Sequence, residues 1–453
     1  MADQPNGRLR AVITEAAMTQ DAVARAVRVV SREAGDTTLK TNRSAVCHWL
    51  KGTVPDETTI RYLTEALGRR LRRPLTPEDI GLPSPGQDFD LGLSLGHDTI
   101  GTITRMGRAD IERRNFLTNA VYSVAAAALP LGVASEHQAR AATAAHGGTV
   151  GTAEVEAVRS MTAAFTKIDE LQGGQHGRSA LLYYLTHDVA DLLDGRFASD
   201  KIRSEMFTAA ASLVYLAGWK AHDAGQAGLA QRYYLQAYGL TQEARDDAHA
   251  AFCIRILAHH GMDNARPEHT LALADSALER ARGHVDKATE SLFVICRARA
   301  LAVSGQGTRA LREAARARTM AEAGNPEAGW AALWGTAQAT VSSHTAKINA
   351  YLRDYQTAED HYTAAARRYG MTEHRRITGL SNIQSGRMQL KQGRTEEACN
   401  TWGHALDALA GVQSARARRA VRAVRGELAT LRHRGVHEAE ELDNRARLWL
   451  QTT

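Results

Sequence analysis

Four cysteines and nine prolines are few for a chain of 453 residues. Cys47, Cys253, Cys296 and Cys399 stand far apart and form no C-x-x-C pair. A zinc ribbon or a disulfide framework therefore has little support, and reduced thiols packed as small hydrophobes are expected. That usage points to the cytoplasm. Scarce proline spares long helices their strongest breaker. Aromatic residues are only 6%, while alanine, arginine, leucine and glutamate abound, which favours helix over strand. The signatures of a P-loop, of G-x-G-x-x-G after a strand and of H-E-x-x-H are missing, so neither an enzyme nor a cofactor is expected. His259 and His260 are adjacent, with His249 and His269 nearby. On a helix such neighbours diverge by about 100°, so they are poorly placed to share a metal ion.

What the chain does have is a globular composition, 44% hydrophobic and 23% charged, and enough length for two or three domains. Its net charge of +6 suits a polyanionic partner without establishing one. No segment reads as a membrane span.

Residues 1–82 read as a small helical bundle. Leu9, Val12, Ile13 and Ala16 recur at helical spacing. Thr19 caps a second helix through Val23, Ala26, Val27 and Val30, which Gly35-Asp36 stops. After a longer connection comes Thr41–Gly52, a short helix with an apolar edge of Val46, Trp49 and Leu50. Pro55 and Asp56-Glu57 open the next helix, carrying Ile60, Leu63, Ala66 and Leu67. This order suits a helix-turn-helix DNA reader. Thr41, Asn42, Arg43 and Ser44 at the start of the short helix would reach base edges, with His48 and Lys51 on the same polar side. Arg43 suits guanine and Asn42 adenine. Gln20, at a helix start, would hold a phosphate, as would Arg72 and Arg73 in the run Arg69–Arg73.

Residues 83–150 read as a linker rich in Pro, Gly, Ser and Asp. Within it, Arg113-Arg114-Asn115-Phe116-Leu117 and an alanine-rich run have the look of a twin-arginine export signal. The run follows a domain, contains Thr118, Asn119 and Ser123, and is broken by Pro130. A buried or docking helix is therefore expected.

Residues 151–453 are repetitive. Gly225, Gly305, Arg353 and Gly393 align as one turn position. Ala230, Ala310, Ala358 and Ala398 follow five residues later, and Ala237, Ala317, Ala365 and Ala405 seven beyond those. Tyr234, Tyr362 and Trp402 fall between them, with Ala314 in the fourth unit. Gly218, Ala298, Ala346 and Gly386 precede the turns. Small residues let paired helices approach and an aromatic fills the space between units. A degenerate unit is expected at His249–Ala281. The spacing resembles the tetratricopeptide repeat, so an all-α fold is expected: a helix-turn-helix bundle followed by a tetratricopeptide-like solenoid.

The motif T-N-R-S-x-V-x-x-W-L-x-G-x-x-P at Thr41–Pro55 resembles the N-terminal domain of actinobacterial helix-turn-helix regulators with helical-repeat C-termini. In architecture the chain is also similar to Gram-positive peptide-sensing regulators. The resemblance implies a cytoplasmic homodimer that reads a double-stranded operator, an inverted repeat, and senses a peptide or small molecule. The first helix of each unit would line the effector groove. Tyr215, Trp219 and His222 then come from one unit, Arg299 from the next, and Lys347, Tyr351 and Arg387 from later ones. An aromatic end and a cationic end suit an extended peptide with a carboxylate. Two rivals stand beside this reading: a scaffold whose bundle docks protein without specific DNA binding, and an exported adaptor.

Overall fold

The computed structural model describes residues 5–34, 36–73, 75–83, 91–96, 98–112, 122–132, 149–370 and 374–452. The fold is all-α. Among the described residues the extended structure is one parallel pairing of Thr149–Val150 with Arg196–Phe197.

The N-terminal bundle contains α1 (Gly7–Glu15), α2 (Gln20–Glu33), α3 (Arg43–Leu50) and α4 (Glu57–Leu71), closed by a short turn at Glu78–Ile80. Each helix begins at a side chain that accepts a bond from an otherwise unpaired backbone N–H: Asn6 from Leu9, Thr19 from Ala22, Asn42 from Ala45 and Asp56 from Thr59. The apolar faces meet in one core that includes Leu9, Val23, Val27, Val46, Leu63 and Leu67. Asn6 also donates to the Ile80 carbonyl, tying the start of the bundle to its end.

Part of the expected linker is packed rather than free. Helix α5 (Thr99–Ile111) buries Ile100, Ile103, Met106 and Ala109, a helical stripe that carries it into the core of the second domain. Gly92–Gly96 read G-x-S-x-G, the spacing of a nucleophile elbow, a motif the sequence was expected to lack. Here that stretch is a turn: Gln236 Nε2 donates to the Gly92 and Ser94 carbonyls, each at 3.1 Å. Helix α5 begins only at Thr99, five residues past Ser94, so the serine does not sit at a helix start. The Arg113–Leu117 run lies outside the described residues.

The second domain opens with α6 (Thr152–Gln172) and α7 (Arg178–Tyr184), the latter continuing through a π turn to Leu193. Paired helices follow: α8 (Asp200–Asp223) with α9 (Ala227–Ala244), α10 (Asp247–Asp263) with α11 (Thr270–Ala281), and α12 (Lys287–Val303) with α13 (Gly307–Ala321). Then come α14 (Ala337–Tyr351) with α15 (Tyr355–Tyr369), α16 (Arg375–Lys391) with α17 (Thr395–Ala408), and α18 (Ala415–His433) with α19 (His437–Thr452). Consecutive helices pack against each other as in a solenoid.

The repeat positions have physical roles. Gly225, Gly305 and Gly393 turn with φ near +80°, and Arg353 does so at +65°. A Cβ on Gly218 would lie 2.6 Å from the Tyr234 ring, and one on Gly386 2.5 Å from the Trp402 indole. The aromatic of one helix thus rests directly on the backbone of its partner.

The array bends until its first helix meets its later ones. α6 packs against both α8 and α16. The Gln413 amide donates to the Gln172 carbonyl at 2.7 Å, and Ser414 Oγ donates to Asp223 at 2.8 Å. At the seam Arg376, 1% exposed, bonds Asp169 at 2.7 Å and Glu170 at 2.8 Å, while Lys220 Nζ lies 3.3 Å from Asp169.

Candidate functional site

On α3, Val46, Trp49 and Leu50 are seated in the bundle core, while Arg43, Ser44, His48 and the C-cap Lys51 are exposed. Asn42 is exposed too, with its Oδ1 occupied in capping. Thr41 departs from expectation. It is 5% exposed and its carbonyl accepts from Arg28, so it anchors the connection instead of joining the polar face. The cap at α3 is Asn42, one residue on, which turns Thr41 inward. Gln20 is the first residue of α2 and half-buried.

The basic run after α4 divides by role. Arg69 bonds Glu33 at 2.6 Å and Glu65 at 2.7 Å. Arg70 Nε donates to the Ala16 carbonyl at 3.0 Å. Arg73 pairs with Glu15 at 2.9 Å, so its charge is already shared with a carboxylate. Arg72 is exposed, in the left-handed region at φ 57°.

The bundle meets the second domain away from α3. Arg69 donates to the Tyr122 carbonyl at 3.1 Å, the Val124 amide donates to Glu65 at 3.3 Å, and Glu33 pairs with Arg266. The outward residues of α3 stay uncovered by the described residues.

A second collection of polar groups lies in the middle of the closed array. This pocket has about 100 Å³ of room for the centres of water-sized molecules. Tyr215 and Trp219 of α8 line it, with Phe252, Arg255 and His259 of α10, Trp334, Ser343, His344 and Lys347 around α14, and Arg416 of α18. The rings touch in sequence: Trp219 to Trp334 at 5.6 Å between centroids, Trp334 to Tyr215 at 5.0 Å, and Tyr215 to Phe252 at 5.3 Å.

Behind this wall sits Asp263, bonded to Arg299 at 2.6 Å and His259 at 3.0 Å, with Lys347 at 3.4 Å and His222 at 3.8 Å. Burial pushes the Asp263 carboxyl up, but His259, Lys347 and Arg299 outweigh it and hold the group well below the usual range. Burial pushes His259 down to about 3 against the pull of Asp263, so its imidazole is neutral. Burial also pushes Lys347 down to about 8, with Arg299 adding to the effect and Asp263 opposing it.

Of the groove residues expected from sequence, Tyr215, Trp219 and Lys347 line the pocket. His222 and Arg299 stand one layer out, around Asp263. Tyr351 is 57% exposed and outside the lining, because it falls at the end of α14. Arg387 is outside as well, paired with Glu427 of α18 at 3.2 Å. Arg255 and His259 were missed, because the turn that places them is marked by backbone conformation and not by residue type. Ala265 turns with φ +55° midway between Gly225 and Gly305. Counting back from Ala265 by the offsets that give Tyr215 and Trp219 yields Arg255 and His259.

A run of ring contacts links the pocket to the bundle. Trp219 meets His222 at 5.4 Å, His222 meets His260 at 5.1 Å, and His260 meets Tyr122 at 5.4 Å. Tyr122 is the residue whose carbonyl Arg69 holds.

Residues 9–83 match the family model of the SP15 N-terminal domain. That match spans the bundle from α1 to the turn at Glu78–Ile80. No curated protein matches the chain.

Proposed function

We propose that the chain is a sequence-specific DNA-binding transcription regulator, acting as a homodimer on an inverted repeat, whose repeat domain senses an effector. The observation that carries the reading is α3: one edge fixed in the core, the other presenting Arg43, Ser44, His48 and Lys51 to solvent. We read α2 and α3 as the helix-turn-helix pair, with α3 entering the major groove. The helix pairs of the second domain are read as tetratricopeptide-like, on the strength of their small crossing residues and packed aromatics. Effector binding would move Trp219, and the line through His222, His260 and Tyr122 would carry that shift to Arg69 on α4. Operator affinity would change by the difference in effector affinity between the two arrangements. A gel shift of genomic fragments at physiological salt tests the DNA-binding claim. Retention that ignores sequence, or no retention, overturns it in favour of the protein-docking scaffold.

A further inference from the structure

The pocket contains two arginines that form no ion pair among the described residues, beside one lining carboxylate, Glu170, which Arg376 already holds at 2.8 Å. Arg255, 6% exposed, donates from Nε to the Leu292 carbonyl at 2.8 Å and lies over Phe252 at 5.3 Å. Arg416 lies over Trp219 at 5.5 Å, and its Nη1 is buried without a hydrogen-bond partner. Neighbouring cations do have carboxylates beside them: Lys347 and Arg299 share Asp263, and Arg376 holds Asp169 and Glu170. The aromatic contacts described above run unbroken from one uncompensated arginine to the other. Four more buried atoms of the lining have no hydrogen-bond partner: Glu170 Oε2, Trp219 Nε1, His259 Nδ1 and His344 Nδ1. Trp219 Nε1 is a donor, and His259 Nδ1 is an acceptor, because the Nε2–H of the neutral ring donates to Asp263.

A buried guanidinium in no ion pair, Arg255, favours the arrival of an anion, the half-exposed Arg416 adds positive charge to the same pocket, and guanidinium matches a carboxylate in shape as well as sign. Flat rings favour a flat apolar body. We propose that the pocket binds a small organic acid, its carboxylate taken by Arg255 and Arg416 and its flat apolar part packed against Trp219, Trp334 and Tyr215. The closed seam between α6 and α16, which shuts the array around the pocket, argues for a compact ligand and against the extended peptide expected from sequence. This deepens the sensing half of the proposed function and rests on it.

The test uses the full chain without DNA, titrated with benzoate, indole-3-acetate and 1-naphthoate, each beside its neutral amide. Tryptophan fluorescence and calorimetry report binding. At least one acid is expected to bind with one site per chain, quench the fluorescence, and exceed its amide by about tenfold or more. Arg416→Gln, at a half-exposed position, should remove that preference and leave amide binding unchanged; Arg255→Gln, checked for folding by circular dichroism, should do the same. Equal affinity for acid and amide, binding of none of the acids, or an unaltered preference in R416Q overturns the proposal. So does an octapeptide ending in a free tryptophan carboxylate that binds more tightly than every acid. Because no DNA is present, failure here leaves operator binding standing, and failure of operator binding leaves this result standing.

Discussion

In the bundle, Arg43 stands on an exposed helix face where water screens its charge; in the pocket, Arg255 is enclosed by rings and a backbone carbonyl. The first arrangement suits a large polyanion that arrives from solvent and displaces counterions. The second suits a small anion that enters an enclosed site where charges interact more strongly than in bulk water. The same side chain serves both, and its surroundings decide which partner it fits. The bundle leaves its polar groups outside and seals only an apolar core. The repeat domain instead buries charges at the seam and behind the pocket and sets most of them against groups of opposite sign.

The largest expected effect falls on the buried side of this contrast. Arg376→Ala leaves Asp169, Glu170 and Asp223 around an empty site, and loss of one partner from a buried charge cluster costs about 3–5 kcal/mol. Urea unfolding should show that loss; a change under about 1 kcal/mol would mean that the cluster does not hold the seam.

Next is Arg43→Ala, expected to weaken operator binding by about 1–3 kcal/mol and relax the preference at one base pair. Binding curves on single-base operator variants measure it, and an unchanged preference removes Arg43 from base reading. Salt sharpens the comparison further. Raising it from ~50 to ~200 mM should weaken DNA retention about tenfold or more, while acid binding in the buried pocket changes much less. Parallel losses at both sites would erase the distinction.

A smaller effect comes from pH. Lys347 is protonated below about 8 and neutral above it. Affinity for an organic acid should therefore be full at neutral pH and decline as pH rises through about 8. Asp263 and His259 face Lys347 from α10, Arg299 from α12 and Arg416 from α18. His259, pushed down to about 3, does not titrate in that range. Lys347→Met should flatten the profile, and a profile that still falls near pH 8 assigns it to another group. The smallest effect is Gly393→Ala. Nothing lies near the added Cβ, so only the left-handed backbone at φ +82° resists it, at roughly 1–2 kcal/mol by thermal melting.

The bundle was largely legible because its signals are local. Caps at Thr19 and Asp56 and the apolar edge Val46, Trp49 and Leu50 sit within a few residues of what they organise. Thr41 was misjudged by the one-residue shift of the cap to Asn42. The repeat turns were legible at Gly225, Gly305 and Gly393 and, by alignment, at Arg353; the unit at His249–Ala281 was expected, but its turn at Ala265 was not placed because alanine carries no such mark. The α5 stripe Ile100, Ile103 and Met106 was present in the sequence but masked by the Gly- and Pro-rich stretch before it. Arg416, Glu170 and Trp334 were not legible. They join the pocket only because distant helices converge, and no local spacing encodes that.

The seam between Asp169 and Arg376 joins positions 207 residues apart. An open stack of repeats can fray from either end, since each unit touches only its neighbours. Here the first helix of the array is bolted to the far side, so melting cannot start at that end, and fraying is left to α19, which packs on α17 and α18. Unfolding should be all-or-none across α6 to α18, and fragments that stop short of α16 should lose far more order than the missing helices alone contribute. Long-range closure of this kind also slows assembly, because the loop must close before the buried charges find one another.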